Sequence, residues 1–465
     1  MFSAIAFIRL TTVVHQGDRL MMFASIEFLY YFLPALLIIY FITPNKIPLR
    51  NMVLLIASMV FYAWGGPKFL FLILGQVFLA WLFGLFIHKW HGTLKARVTL
   101  ILSIVVGLAG LMFFKYTNFF IENFNAITGL GISELTWLIV PLGISFYTFQ
   151  LLSYNIDLYR GTVQVQKNPL TLATYVMLFP QVMAGPIVRY ADIIPALTQR
   201  KSTFNDFYEG IRRFTVGLGK SILIGGAMAN LTTALGAEAS VLAIVLRSAS
   251  FTFQIYFQFS GYSDMAIALG RIFGFRITEN FNYPLTAQSI TDFWRRWHIS
   301  LGLWLRDYIY IPMGGNRKRQ WLNILVVWSL IGFLQGAAWN FILWGLFFVV
   351  VLLVEKKLLG NFLANRSAIF RHIYTLIIVL ISFMIFRANN VFEAQSLAGP
   401  LSLFYLRSYA VLLALAAIGS TELPRRLFMT RYVRWLEPVA VALCLIVSTA
   451  FLVDTTFDPL LYVRF

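Results

Sequence analysis

Apolar stretches of near-spanning length, joined by short polar connections, run through almost the whole chain, and this pattern limits the fold before any other feature does. They fall at about 28–43, 51–64, 69–88, 98–114, 136–155, 171–187, 215–233, 240–260, 321–336, 337–354, 369–386, 405–419 and 437–453. A helix that crosses the hydrocarbon core consumes roughly 20 residues. Of the 465 residues, 59% are hydrophobic and only 12% charged, too few charges to solvate the outside of a water-soluble fold. The pattern predicts an all-α, polytopic integral membrane bundle of about ten to twelve spans. Several blocks are short or carry Pro and Gly, so some read as tilted, broken or re-entrant helices. No long polar segment remains for a soluble domain. Residues 21–465 read as a single membrane domain behind an extension, 1–20, that lacks the basic start and cleavage site of a secretory signal.

The formal charge of +18, from 37 Lys+Arg against 19 Asp+Glu, would suggest nucleic acid in a soluble protein. Here the basic runs sit between apolar blocks, at Lys46 and Arg50, 89–97, 200–213, 317–319 and 425–434. Cytoplasmic loops collect Lys and Arg because positive charge resists translocation, so the runs report orientation and no nucleic-acid partner is expected. The stretch 118–134 holds no Lys or Arg and is assigned to the opposite side. Cys444 is the one cysteine, which excludes an intrachain disulfide. No Walker A loop, His/Cys metal cluster or G-x-S-x-G elbow occurs, which leaves ATP-driven transport, metallohydrolase and serine-esterase readings without support. No internal repeat of the kind secondary transporters use is visible.

Polar and charged residues crowd into 261–320, and an ionisable group at bilayer depth is costly unless paired, hydrated or functional. Asp264 follows an aromatic run and reads either as a salt bridge, for example to Arg271, or as a functional carboxylate. The segment 291–310 has helical character, with Asp292 as an N-terminal acid able to pair with Arg296 at i, i+4. On a continuous helix His298 would share a face with Trp294, Arg295, Leu301 and Gly302, beside Trp297. It reads as a packed interfacial residue or as a general base in a pocket of restricted water. Arg317, Lys318 and Arg319 obey the orientation rule or attract a polyanionic donor.

Several blocks, in order, resemble the membrane-bound O-acyltransferase family and, within it, the bacterial alginate O-acetylase-like branch. They are FYAWGGPKFL (61–70), PLGISFYTFQLLSYNIDLYRG (141–161), FPQVMAGPIVRY (179–190), SGYSDMAIALGRIFGF (260–275), DFWRRWHISLGLWLRDYIYIPMGGNRKR (292–319), GAAWNFILWG (336–345) and DPLLYVRF (458–465). The core motifs lie within 179–345. The resemblance implies a bundle with a central funnel, multi-pass in the bacterial inner membrane, that moves acetyl groups toward a secreted or cell-wall polysaccharide. The implied donor is acetyl-CoA or another acyl thioester in the cytoplasm, with no bound cofactor and no metal. A periplasmic acetyltransferase partner would complete the transfer. His298 falls in the family's first histidine motif. The branch normally has Trp-His just before GAAWNFILWG, and that histidine is taken as catalytic; here Leu334 and Gln335 occupy the two positions. An amide donates and accepts hydrogen bonds but does not titrate near neutrality. The resemblance thus assigns His298 and Gln335 to the catalytic positions. It gives Asp264, Asp292, Trp294, Arg295, Arg296, Trp297 and Asn340 a supporting role, and Arg317, Lys318 and Arg319 the donor. The alternative is a catalytically impaired homologue acting as a scaffold or acyl conduit.

Overall fold

Helices begin and end where the sequence supplies stops. In the computed structural model, which describes residues 21–183, 185–387, 395–430 and 433–453, Pro48 and Pro67 each stand in the first turn of a helix, where the missing N–H costs nothing. The extension 1–20 and the block at 458–465 lie outside the described residues. Among the described residues the regular elements are helices, and one isolated bridge joins Ser240 to Ser396.

The described residues group into two compact units. The first takes in 21–108, 140–183 and 190–200. It holds helices α1 (Leu33–Ile42), α2 (Ile47–Trp64), α3 (Pro67–Lys89), the first part of α4 (Leu94–Thr128), α5 (Ile144–Tyr159), α6 (Pro169–Met177) and α7 (Tyr190–Thr198). Its core is aromatic around Phe23, Phe28, Phe61 and Phe179, all essentially fully buried. The second unit takes in 109–139, 185–189 and 201–453. It contains α8 (Phe204–Gly219), α9 (Gly226–Ala234), α10 (Val241–Ile272), α11 (Ile290–Arg296), α12 (Ile299–Leu305), α13 (Gln320–Gln335), α14 (Trp339–Val354), α15 (Ala368–Phe386), α16 (Pro400–Ser408), α17 (Ala410–Gly419) and α18 (Glu437–Val453).

Among the described residues six helical stretches are long and apolar enough to cross a membrane: α2, α3, α4, the run Phe204–Ala234 that joins α8 and α9 through a π-turn, α10 and α15. A seventh is obtained if α16 and α17, bent by 58°, count as one. The remaining apolar blocks form shorter helices, among them Glu27–Ile42, Gln320–Gln335 and Glu437–Val453. At 1.5 Å per residue such helices reach only about 24 Å, less than the roughly 30 Å of a hydrocarbon core. The difference from the ten to twelve spans expected therefore lies in blocks that are apolar but short. The 35-residue α4 runs the other way: it carries the helix through Asn118 to Thr128, about two-thirds of the stretch 118–134 assigned to the external side.

Candidate functional site

The segment expected to be one helix from 291 to 310 is two. α11 stops at Arg296 and α12 starts at Ile299; between them Trp297 is extended and His298 takes a left-handed conformation at φ 44°. Histidine tolerates that region better than most residues. The break is held by a chain segment well upstream: Asn282 N–H donates to the Arg296 carbonyl at 2.9 Å, and Ile299 N–H donates to the Asn280 carbonyl at 2.9 Å. Two backbone groups that a continuous helix would satisfy internally are thus satisfied from outside. The shared face with Trp294, Arg295, Leu301 and Gly302 does not form, because the helix on which it depended is interrupted at His298 itself.

His298 is 6% exposed. Its Nδ1 lies 3.1 Å from Oδ1 of the fully buried Asn280, and its ring meets the Phe259 ring edge-on at 4.7 Å between centroids. Ser300 completes the cluster, donating to the same Oδ1 from its backbone N–H at 3.2 Å and its hydroxyl at 2.8 Å. Desolvation pushes the imidazole down from 6.5 to about 3, so it is neutral at physiological pH. The ring stands in packed protein with aromatic walls, where Phe281 and Trp297 stack edge-on at 5.2 Å.

α11 is anchored at both ends. Ser289 caps it by accepting from Asp292 N–H, and Asp292 pairs with Arg296 at 2.9 Å, as the spacing predicted. The buried Glu355 carboxylate, just beyond α14, accepts from Ile290 N–H at 2.8 Å, Thr291 N–H at 3.0 Å and the Thr291 hydroxyl at 2.8 Å. A carboxylate at a helix N-terminus meets the unpaired N–H groups and the positive end of the dipole. Trp294 packs edge-on against Trp328, Trp344 and Phe348, which fixes α11 against α13 and α14. Arg295 is exposed.

Gln335 is the last residue of α13, half-buried, before the extended Gly336. α13 and α14 touch backbone to backbone: a Cβ on Gly332 would sit 2.5 Å from the Phe341 carbonyl, and one on Gly345 would sit 2.5 Å from the Trp328 carbonyl. The open end of α13 is closed by α4, where Tyr116 donates to the Phe333 carbonyl and Lys115 to the Leu334 carbonyl, each at 2.7 Å. The Tyr116 and Phe333 rings stack at 4.0 Å. Asn340 reaches away from this end, donating to the Phe386 carbonyl of α15.

Asp264 is paired, but not with Arg271. It accepts from Lys220 at 2.7 Å and from Arg213 at 3.0 and 2.7 Å, and Arg213 also holds Glu279. Arg271 lies two helical turns along α10 and pairs with Asp206, together with Arg276. Close approach of α8 and α10 makes this possible: a Cβ on Gly217 would meet the Gly261 carbonyl at 2.7 Å, and one on Gly261 the Gly217 carbonyl at 2.5 Å. Small residues at such a contact are the usual means of bringing two membrane helices together. Arg317, Lys318 and Arg319 are exposed in the turn before α13, as either reading of that run requires. Nearby, Asp307 bridges Arg189 at 2.8 Å and Arg306 at 2.6 Å. Burial works to raise the Asp307 carboxyl, yet the two guanidiniums hold it below its ordinary value.

Asn280, Ser300, Glu355 and Lys115 were not among the residues singled out from sequence. Lys115 carried a signal, as an isolated cation at the end of an apolar block. Glu355 was masked by Lys356 and Lys357, with which it reads as an ordinary charged flank.

Comparison with known proteins agrees with the motif order. Residues 165–397 match the membrane-bound O-acyltransferase family. The chain is 40% identical to a probable alginate O-acetylase of Azotobacter vinelandii, over 80% of this chain and 76% of that protein. It is 41% identical to a probable alginate O-acetylase of Pseudomonas aeruginosa, over 80% and 73%. A peptidoglycan O-acetyltransferase of Helicobacter pylori is 34% identical over 80% and 78%. Motif order, helical architecture and these matches agree: the chain belongs to the membrane-bound O-acyltransferase family and is, by that membership, an O-acyltransferase.

Proposed function

We propose that this protein takes an acetyl group from acetyl-CoA or another acyl thioester on the cytoplasmic side of the bacterial inner membrane and passes it toward a secreted or cell-wall polysaccharide. A periplasmic partner would complete the modification. The reading is supported by the relatives, whose names specify O-acetylation of alginate or of peptidoglycan. The observation that carries the chemistry is His298: a neutral imidazole, buried, with one nitrogen bound by Asn280.

In this scheme the acceptor hydroxyl oxygen attacks the thioester carbonyl while its proton moves to the imidazole. The tetrahedral intermediate then expels the thiolate, which takes that proton from the imidazolium, so an ester, a free thiol and a neutral imidazole result. General-base assistance of this kind contributes roughly 10²- to 10⁴-fold. Gln335 would hold the thioester carbonyl by hydrogen bond as charge develops on its oxygen. Arg317, Lys318 and Arg319 would attract the anionic donor.

Acetyl-CoA turnover by the purified protein in lipid nanodiscs tests the scheme. His298→Gln should lower turnover by about 10²-fold or more, whereas unchanged turnover would remove His298 from the mechanism. Gln335→His should raise turnover by restoring a titratable group. The impaired-homologue reading, motivated by the amide at 335, predicts instead no turnover in the wild type, and polymer acetylation in cells that His298→Gln still supports.

A further inference from the structure

An imidazole carries its single proton on one nitrogen, and only the bare nitrogen can accept another. Asn280 meets one of the two nitrogens of His298, Nδ1, at 3.1 Å. Its amide can be oriented in one sense only. The backbone N–H of Ser300 can do nothing but donate, so the atom it meets at 3.2 Å is the carbonyl oxygen Oδ1. Nδ2 then faces the Ser263 hydroxyl at 3.0 Å, where it finds an acceptor. Turning the amide over would set N–H against N–H inside a buried cluster, at the cost of leaving polar groups unsatisfied. The Ser300 hydroxyl accepts from Ile187 N–H at 3.0 Å, which frees its own proton for Oδ1 at 2.8 Å.

Oδ1 therefore only accepts, and a bare Nδ1 at 3.1 Å would put two lone pairs face to face. We propose that Asn280 is a positioning residue that holds His298 in the Nδ1–H tautomer, so that Nε2 is the basic nitrogen and the acceptor hydroxyl must approach it there. This rests on the reading of His298 as proton acceptor. Asn280 is suited to the task because it is tied to the same junction by its backbone: its carbonyl takes the Ile299 N–H at 2.9 Å. The ring and the group that selects its tautomer thus move together. Nδ2 fastens the assembly to Ser263 on α10.

The test is the nitrogen NMR spectrum of protein labelled with ¹⁵N in its histidine rings. The chain has 5 histidines, and the signals lost in His298→Gln identify the pair in question. At neutral pH the wild type should give a protonated Nδ1 and a bare Nε2. Asn280→Ala should populate the Nε2–H form and lower kcat roughly ten- to hundredfold, the scale of a misplaced catalytic group, with KM little changed. Asn280→Asp keeps an acceptor in place, so it should keep the Nδ1–H tautomer while its negative charge moves the acid limb of the kcat profile to higher pH. A wild-type ring protonated on Nε2, or on both nitrogens, would overturn the proposal, as would an unchanged tautomer in Asn280→Ala. Should Asn280→Ala fail to fold, the wild-type and Asn280→Asp spectra decide. An Nδ1–H signal together with full turnover in His298→Gln would defeat the catalytic reading alone and support the control of the tautomer by Asn280.

Discussion

Holding an uncharged imidazole inside protein makes the folded state sensitive to acid. The folded value for His298 is about 3, below the ordinary 6.5, so the unfolded chain binds the proton first. The stability gained is complete above about pH 6.5 and is lost as pH falls toward 3, with a slope of at most about 1.4 kcal/mol per pH unit. The thermal unfolding midpoint, followed from pH 8 to pH 5, should therefore fall more steeply in the wild type than in His298→Gln. Equal slopes would mean that the ring already exchanges protons with water. His298 and the Asp292–Arg296 pair were legible because each depends on a residue type or on an i, i+4 spacing. Asn280 was not: it looks like any loop asparagine until the chain folds back to set it beside residues 298 and 300.

Two elements are held by charge, and each carries a prediction. Asp264→Asn leaves Lys220 without its carboxylate partner between α8 and α10; both side chains are about one-fifth exposed, so the cost falls below that of a fully buried pair, at about 1–3 kcal/mol. Chemical or thermal unfolding in detergent should register that loss, and Lys220→Met added to Asp264→Asn should recover part of it. Glu355→Gln weakens three hydrogen bonds at the start of α11, bonds that are each stronger when the acceptor is charged. The variant should lose about 1–3 kcal/mol and should also lower turnover, since α11 leads directly into His298; full activity at reduced stability would separate the cap from the site. The length of the apolar stretches revealed most of the helices themselves. It missed the interruption at 297–298 because local pattern is the same on both sides, and the groups that stabilise the break come from residues 280 and 282.

Orientation in the membrane belongs to the molecule as a whole, and the distribution of Lys and Arg predicts it. In a Cys444→Ser background, Lys318→Cys should react with an impermeant thiol reagent only from the cytoplasmic side, and Glu134→Cys only from the opposite side. Reaction of both from one side would overturn the assignment made from charge. The membrane class was legible because it follows from bulk composition, which no packing detail can reverse. The number of full-length spans was not, because an apolar block announces burial without saying whether lipid or protein covers it. Glu355 carries one last implication, for attempts to cut the protein down. The stretch 179–345 contains every motif that marks the chemistry, yet it stops short of the carboxylate that secures the start of α11. A minimal fragment bounded by those motifs would keep the histidine and lose its mooring, so the smallest working unit must extend past residue 355.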